Sequence, residues 1–247
     1  MLTAMSTFTR LKRISLTAGI IFLMVSCDLF YNEGEWKTEI RDTEPFRNII
    51  IENVIEVYYH YCDTFAIEVQ HYDKQLSDIK TEVKDQSLTL KNTFSGQAYT
   101  DIRTPQVHLY APMIYQVDIN KETGAGFFCK DTIYNSRFQI NIAADLAEAI
   151  FLVNTDTLQM NISKTAGVIQ MEGSAQKFLL QNTGEVPIKG KKLNIQQLNI
   201  IHQSSQNVEL TVSEYIKYKI LRSGNIIIWG SPENTGENLG TGKIIFK

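Results

Sequence analysis

From Phe46 onward, apolar residues recur at every second position: Ile49 and Ile51, then Ile55, Val57, Tyr59 and Tyr61, then Ile67 and Val69. A period of two is the spacing of a strand that buries one face and wets the other. The same pattern, rich in β-branched and aromatic residues, predicts strands at Ser87–Lys91, Gln106–Tyr110 and Gln116–Ile119. Only Ala143–Ala149 has the composition of a helical turn, and its short length argues against one that persists. The first half therefore reads as all β.

The second half adds a longer period. Val168–Gly173, Glu185–Gly190, Asn207–Val212 and Asn225–Gly230 align without gaps. The second column reads Ile169, Val186, Val208, Ile226, and the fourth reads Met171, Ile188, Leu210, Ile228. Both columns are wholly apolar, and three of the four segments end in glycine, where a chain can turn. Repeats about twenty residues apart, each too short to bury its own apolar face, predict a stack of turns. Further strands fall between the segments at Leu158–Ile162, Phe178–Gln181, Leu198–His202 and Lys217–Leu221. At least two strands per turn with short Gly/Asn/Ser corners describe a parallel β-helix. A two-sheet sandwich would alternate too, but would not need matching columns at a fixed period. Pro187 lacks the N–H a stacked strand uses, so a bulge or break is expected there.

Ahead of this pattern the chain changes character. Arg10, Lys12 and Arg13 precede a largely apolar run, Ile14–Val25, that ends in Leu23-Met24-Val25-Ser26-Cys27. A basic start and a short apolar stretch read as a secretory signal. The Ser-Cys ending resembles a bacterial lipoprotein signal, although the leucine usual three places before the cysteine is Met24 here. Residues 1–26 are thus expected to be a leader, with Cys27 carrying lipid. Residues 27–45 are expected to be an acidic tether, and 46–247 a single solenoid domain. Removing the leader's three basic residues takes the formal charge from −3 to −6. A mildly acidic chain lacks the footprint of a nucleic-acid binder. The basic run Lys189-Gly190-Lys191-Lys192 is short enough to be a solvated turn. Cys62 and Cys129 remain, and an exported compartment permits either a disulfide between them or two free thiols.

The residues carry little catalytic signal. Enzymes that cleave polysaccharides on β-helices need carboxylates close together on one face. Here the fifth column reads Glu172, Lys189, Thr211, Trp229, and the third holds only Glu209. His60, His71, His108 and His202 are dispersed without metal-ligand spacing. Neither a nucleophile elbow nor a phosphate-binding glycine loop occurs. No catalytic residue, cofactor or metal is therefore expected. Trp229 falls in an outward column, where an indole can stack on a sugar ring or pack beneath the Ser231–Gly242 tail. Alternation turns Tyr59 and Tyr61 inward with Val57 and leaves Tyr58 outside. Thr132 and Thr157 each follow an aspartate and precede an aliphatic residue. That tripeptide resembles one that some Gram-negative bacteria O-glycosylate, and it also turns a chain by side-chain bonding to backbone.

Several stretches together resemble a known family. They are Phe46-Arg47-Asn48-Ile49, Val54–Tyr59, Phe65–Val69, Ile79–Leu90, Tyr110–Val117, Ser223–Pro232 and Gly240–Ile244. The family is the "putative auto-transporter adhesin, head GIN domain", and the likeness spans about residues 46–247. Cys62-Asp63 stands where the family has glycine-aspartate, and its Gly-Ser-Gly corners are reduced to Gly124-Ala125-Gly126. The resemblance implies an all-β, right-handed parallel β-helix, with Phe46–Val69 as a first hairpin and Ile79–Leu90 as a strand pair. It also implies a lipoprotein exported to the cell envelope, at the outer membrane. The expected function is a non-catalytic interaction module, adhesin-like, with a protein or glycan ligand and with the membrane engaged through Cys27. The alternative is a carbohydrate-active lyase or hydrolase on the same scaffold. Oligomeric state is left open.

Overall fold

Alternating burial along most strands follows the period-two pattern directly, with apolar side chains inward and polar ones outward. The computed structural model describes residues 34–94, 103–120 and 124–247. Among these the chain forms strands throughout, with one short 3-10 turn at Leu76–Asp78 and no α-helix. The fold is an all-β solenoid of about six turns.

Four long strands each wrap most of one turn: β11 (Leu146–Ser163), β12 (Ala166–Thr183), β13 (Ile188–His202) and β14 (Val208–Ile220). β10 (Ile133–Ala143) stacks before them in parallel. β15 (Ile226–Trp229), β16 (Glu233–Asn238) and β17 (Ile244–Phe246) close the far end, also in parallel. Residues 143–149, considered for a helical turn, instead end β10 and begin β11, as the flanking strands require.

One inward column shows how the core is built. Val107, Val57, Phe127, Ala149, Ile169, Ile188, Val208, Ile226 and Ile244 lie in register on successive strands. Stacking removes apolar area from water at about 25 cal/mol per Å2, without any turn needing a core of its own. The column corrects the gapless alignment in one segment. Ile188, not Val186, stacks on Ile169, because the corner before β13 is longer than the gapless alignment allows; β13 then carries a further register shift and extra residues around Gly190–Leu193. A gapless comparison cannot see an insertion. The two-residue slip preserved parity, so inward positions stayed inward. Pro187 lies in the corner immediately before β13, where its missing N–H costs no ladder bond.

Stacking order departs from chain order at the N-terminal end. β2 (Asn48–Glu52) pairs in parallel with both β6 (Ser87–Asn92) and β8 (Gln116–Asn120). β3 (Glu56–Tyr61) likewise lies between β7 (Gln106–Ala111) and β9 (Ala125–Cys129). The first turn of the chain is therefore sandwiched between two turns made later. β4 (Ala66–Tyr72) runs antiparallel to β7, so the expected Phe46–Val69 hairpin does not pair with itself: β7 separates its arms. The expected strand pair does form, as the antiparallel hairpin of β5 (Ile79–Lys84) with β6.

The segment read as a tether also contains structure. β1 (Trp36–Arg41) pairs antiparallel with β4. Trp36 packs edge-on against His71 and Tyr72, and the Arg41 guanidinium donates to the carbonyls of Leu76 and Ile79. An edge strand needs no alternating apolar face, which is why its sequence shows none. The remaining tether residues before 34, the leader and Cys27 lie outside the described residues.

Corners are fixed by side chains. The Asn207 side-chain carbonyl accepts from the backbone N–H of Asn225 at 2.9 Å, and Asn225 does the same for Lys243 at 2.9 Å. Each asparagine thus holds the turn that follows it.

A candidate interaction face

Outward residues of β7, β3 and β9 build a strip of stacked rings. The register places His108, Tyr58 and Phe128 side by side, with Tyr110 and His60 paired in the adjacent row. Strands about 4.8 Å apart hold aromatic rings at stacking distance. Tyr58 stacks on His108 at 4.9 Å and on Phe128 at 5.3 Å, and His60 stacks on Tyr110 at 4.8 Å. Gly126 makes room for the Phe128 ring: a Cβ there would meet the ring at 2.5 Å. Lys130 Nζ sits 4.7 Å from the Tyr58 ring centroid. The Tyr58 hydroxyl donates to Glu56 Oε2 at 2.8 Å, and Gln106 Nε2 donates to the same oxygen at 3.0 Å. Burial, reinforced by Glu56, pushes the Tyr58 phenol up to about 12.

The histidines, dispersed in the sequence, are brought together in one pair. His60 Nε2 and His108 Nδ1 lie 3.0 Å apart, sharing one hydrogen bond. Burial and then the neighbouring His60 hold His108 below its usual range. Pairing at 48 residues' separation depends on the interleaved turns, which spacing within a single segment does not reveal. The geometry has a chemical consequence. Stacked rings cover each other's faces, so this strip offers edges, hydroxyls and ring nitrogens more than open platforms.

Expected site residues fall elsewhere. Trp229 is half-buried. Its indole N–H donates to Glu209 Oε1 at 2.7 Å, and Lys191 and Lys247 lie over its ring at 3.5 and 5.3 Å. Its ring therefore lies beneath cations. Glu172 bonds Lys192 at 2.9 Å across the β13 bulge and does not stand beside Lys189 in register, contrary to the fifth column. Tyr61, expected inside, ends β3 with 53% of its surface exposed and donates to Asp63. Alternation stops where the strand stops. Thr132 directly precedes β10, as expected, whereas Thr157 lies within β11. Cys62 and Cys129 are both free; burial pushes the Cys129 thiol up to about 12.

Two predictions arise from these contacts. Trp229→Ala should cost about 2 kcal/mol in urea unfolding, because it removes the ring beneath Lys191 and strands Glu209 without its donor. The second concerns His202, which is fully buried. Its Nε2 donates to the Gln206 carbonyl at 2.9 Å, while Nδ1 is buried without a partner. Burial therefore holds its affinity for a second proton below the ordinary value. The unfolded chain binds that proton more readily, so stability should be full above about pH 6.5 and decline as pH falls below it. Thermal melts between pH 8 and 5 check this, and His202→Gln should flatten the profile.

A family model, the "putative auto-transporter adhesin, head GIN domain", matches residues 45–232. No curated protein sequence matches the chain. Among solved structures, a putative adhesin from Bacteroides fragilis superposes with a TM-score of 0.77 at 17% identity, covering 86% of this chain and 97% of that one. A putative adhesin from Parabacteroides merdae gives 0.63 at 17%, covering 87% and 97%. A putative lipid binding protein from Parabacteroides distasonis gives 0.63 at 14%, again covering 87% and 97%. At these identities the likeness establishes the shared solenoid. With its family model spanning most of the folded part, the chain belongs to the head GIN domain family of auto-transporter adhesin-like proteins.

Proposed function

We propose that this protein is a non-catalytic, adhesin-like interaction module held at the cell envelope by lipid on Cys27. The observation that carries the reading is the state of the carboxylates. In the described register no acidic side chain faces another across directly adjacent strands: Glu172 meets Leu152 and Lys192, and Glu209 meets Lys189 and Ile227. Glu56 and Glu148 flank Gly126 two strands apart, but the Phe128 ring lies over Gly126 between them, and Glu56 already accepts from the Tyr58 hydroxyl and the Gln106 amide. Cleavage of a glycosidic bond needs two carboxyl groups facing one gap. The family name and the adhesin names of two structural relatives point the same way. A solenoid suits display, because its outward columns vary freely while inward ladders hold the shape. The basic, apolar, Ser-Cys order of residues 10–27 supports the anchor.

Cys27→Ser is expected to abolish fatty-acid labelling and move the protein from the membrane to the soluble fraction. Unchanged membrane partition of that variant would overturn the anchor. Protease shaving of intact cells tests display, and adhesion of beads coated with the protein to host-cell or matrix surfaces tests the adhesin role. Release of new reducing ends from a polysaccharide incubated with the protein would replace this reading with an enzymatic one.

A further inference from the structure

We infer that a trough on the solenoid surface, parallel to its axis, binds a neutral oligosaccharide of about three or four residues. The inference rests on the adhesin-like reading and gives it a ligand class.

The trough has a volume of about 400 Å3. One wall is the outward row Asn154, Ser174, Asn194, and the other is Asp156, Gln176, Gln196. Between them run the backbones of residues 155, 175 and 195, whose side chains are buried. Each rung is one strand, so the walls repeat every 4.8 Å or so, about the length of one sugar in an extended glycan.

The chemistry of the walls selects the ligand. Five of the six side chains are neutral amides or a hydroxyl, and the single charge, Asp156, accepts from Gln176 at 2.9 Å. The trough therefore offers no cation to a sulfate or uronate. It also lacks an apolar pocket for a peptide side chain. The backbone at its floor is already paired on both sides in the parallel ladder, so a peptide strand cannot add to it.

A comparison within the molecule separates binding from structural use. On another face, outward amides consume one another. Asn141 donates to Asp118 at 2.7 Å, Asn161 donates to Asn141 at 2.9 Å, and Gln116 donates to Asp118 at 2.7 Å. Those groups form a closed ladder that stiffens the sheet. In the trough, Asn154, Ser174, Asn194 and Gln196 make no side-chain hydrogen bond with any described residue. Their donors and acceptors are left to solvent, at a spacing suited to successive hydroxyl groups.

An aromatic ring stands at one end. Tyr134 is in register with Asn154, continues the same outward row, and is 60% exposed. Unlike the rings of the stacked strip, it makes no contact with another aromatic residue among those described. An open ring face beside unspent amides is the combination that receives a sugar, with C–H groups over the ring and hydroxyls on the amides.

The test uses the full-length chain purified in detergent, applied to an array of neutral and acidic tetra- to hexasaccharides. Binding is expected to neutral glycans, and the double variant Tyr134→Ala/Asn194→Ala should weaken it about tenfold with an unchanged melting temperature. Glu82→Ala, on β5 of the N-terminal hairpin and outside the trough lining, should bind as the parent does. Absence of binding to every neutral glycan, preference for acidic ones, or indifference to the double variant would overturn the proposal. Bead adhesion keeps the two readings apart. Equal adhesion by parent and double variant removes the trough but leaves the adhesin role, whereas beads of the parent that fail to adhere remove that role.

Discussion

Val208→Asp should leave little or no folded protein. Val208 is fully buried between Ile188 and Ile226 in the inward column that runs from Val107 to Ile244. A carboxylate there would have no cationic partner and would cost about 4 kcal/mol or more, a large share of a typical domain's stability. Ile226→Asp should behave alike. Outward changes set the scale for comparison. Glu209→Lys strands the Trp229 indole and places two lysines side by side with Lys189, so about 1 kcal/mol is expected. Asn199→Lys, exposed in mid-strand, should stay within about 0.5 kcal/mol. Urea titrations followed by circular dichroism rank the four variants, and equal tolerance of inward and outward changes would refute the column assignment.

Gly173→Ala is the second large effect, and it needs no change of polarity. Gly173 has φ +115°, a conformation that side chains with a Cβ rarely adopt. A Cβ there would lie 1.9 Å from the carbonyl oxygen of Val153, on the strand stacked next to it. Relief would require parting two strands of a continuous ladder. A loss of about 3 kcal/mol or more is expected, seen as a melting temperature lowered by several degrees. Gly230 repeats the device against the Val212 carbonyl at 2.3 Å, so Gly230→Ala should show the same loss.

These two sites also show what the sequence could disclose. The apolar columns were legible because inward ladders are the physical requirement of a solenoid, and every turn repeats it. Gly173 and Gly230 stood out for the same reason, at the ends of aligned segments. Gly190 looked equivalent but lies in the β13 bulge and lacks a positive φ, since one residue type serves two backbone needs. The outward surface was far less legible. His60 and His108 meet only because β7 stacks on β3, a pairing no local period encodes. β1 leaves no signature in the sequence, because an edge strand obeys no alternation. The trough was invisible for another reason. Asparagine, serine and glutamine at outward positions read alike whether their hydrogen bonds are spent on neighbours, as at Asn141, or left open, as at Asn194.

The sandwiched position of β2 and β3 bears on time as well as space. A chain growing from its N-terminus cannot give its first turn both neighbours until the strands ending at Asn92, Ala111, Asn120 and Cys129 have all been made. From β10 on, each new turn settles directly on the one before it. The slow part of assembly therefore belongs to the beginning of the chain, where contacts span the greater sequence distance, and the later turns can add by simple propagation.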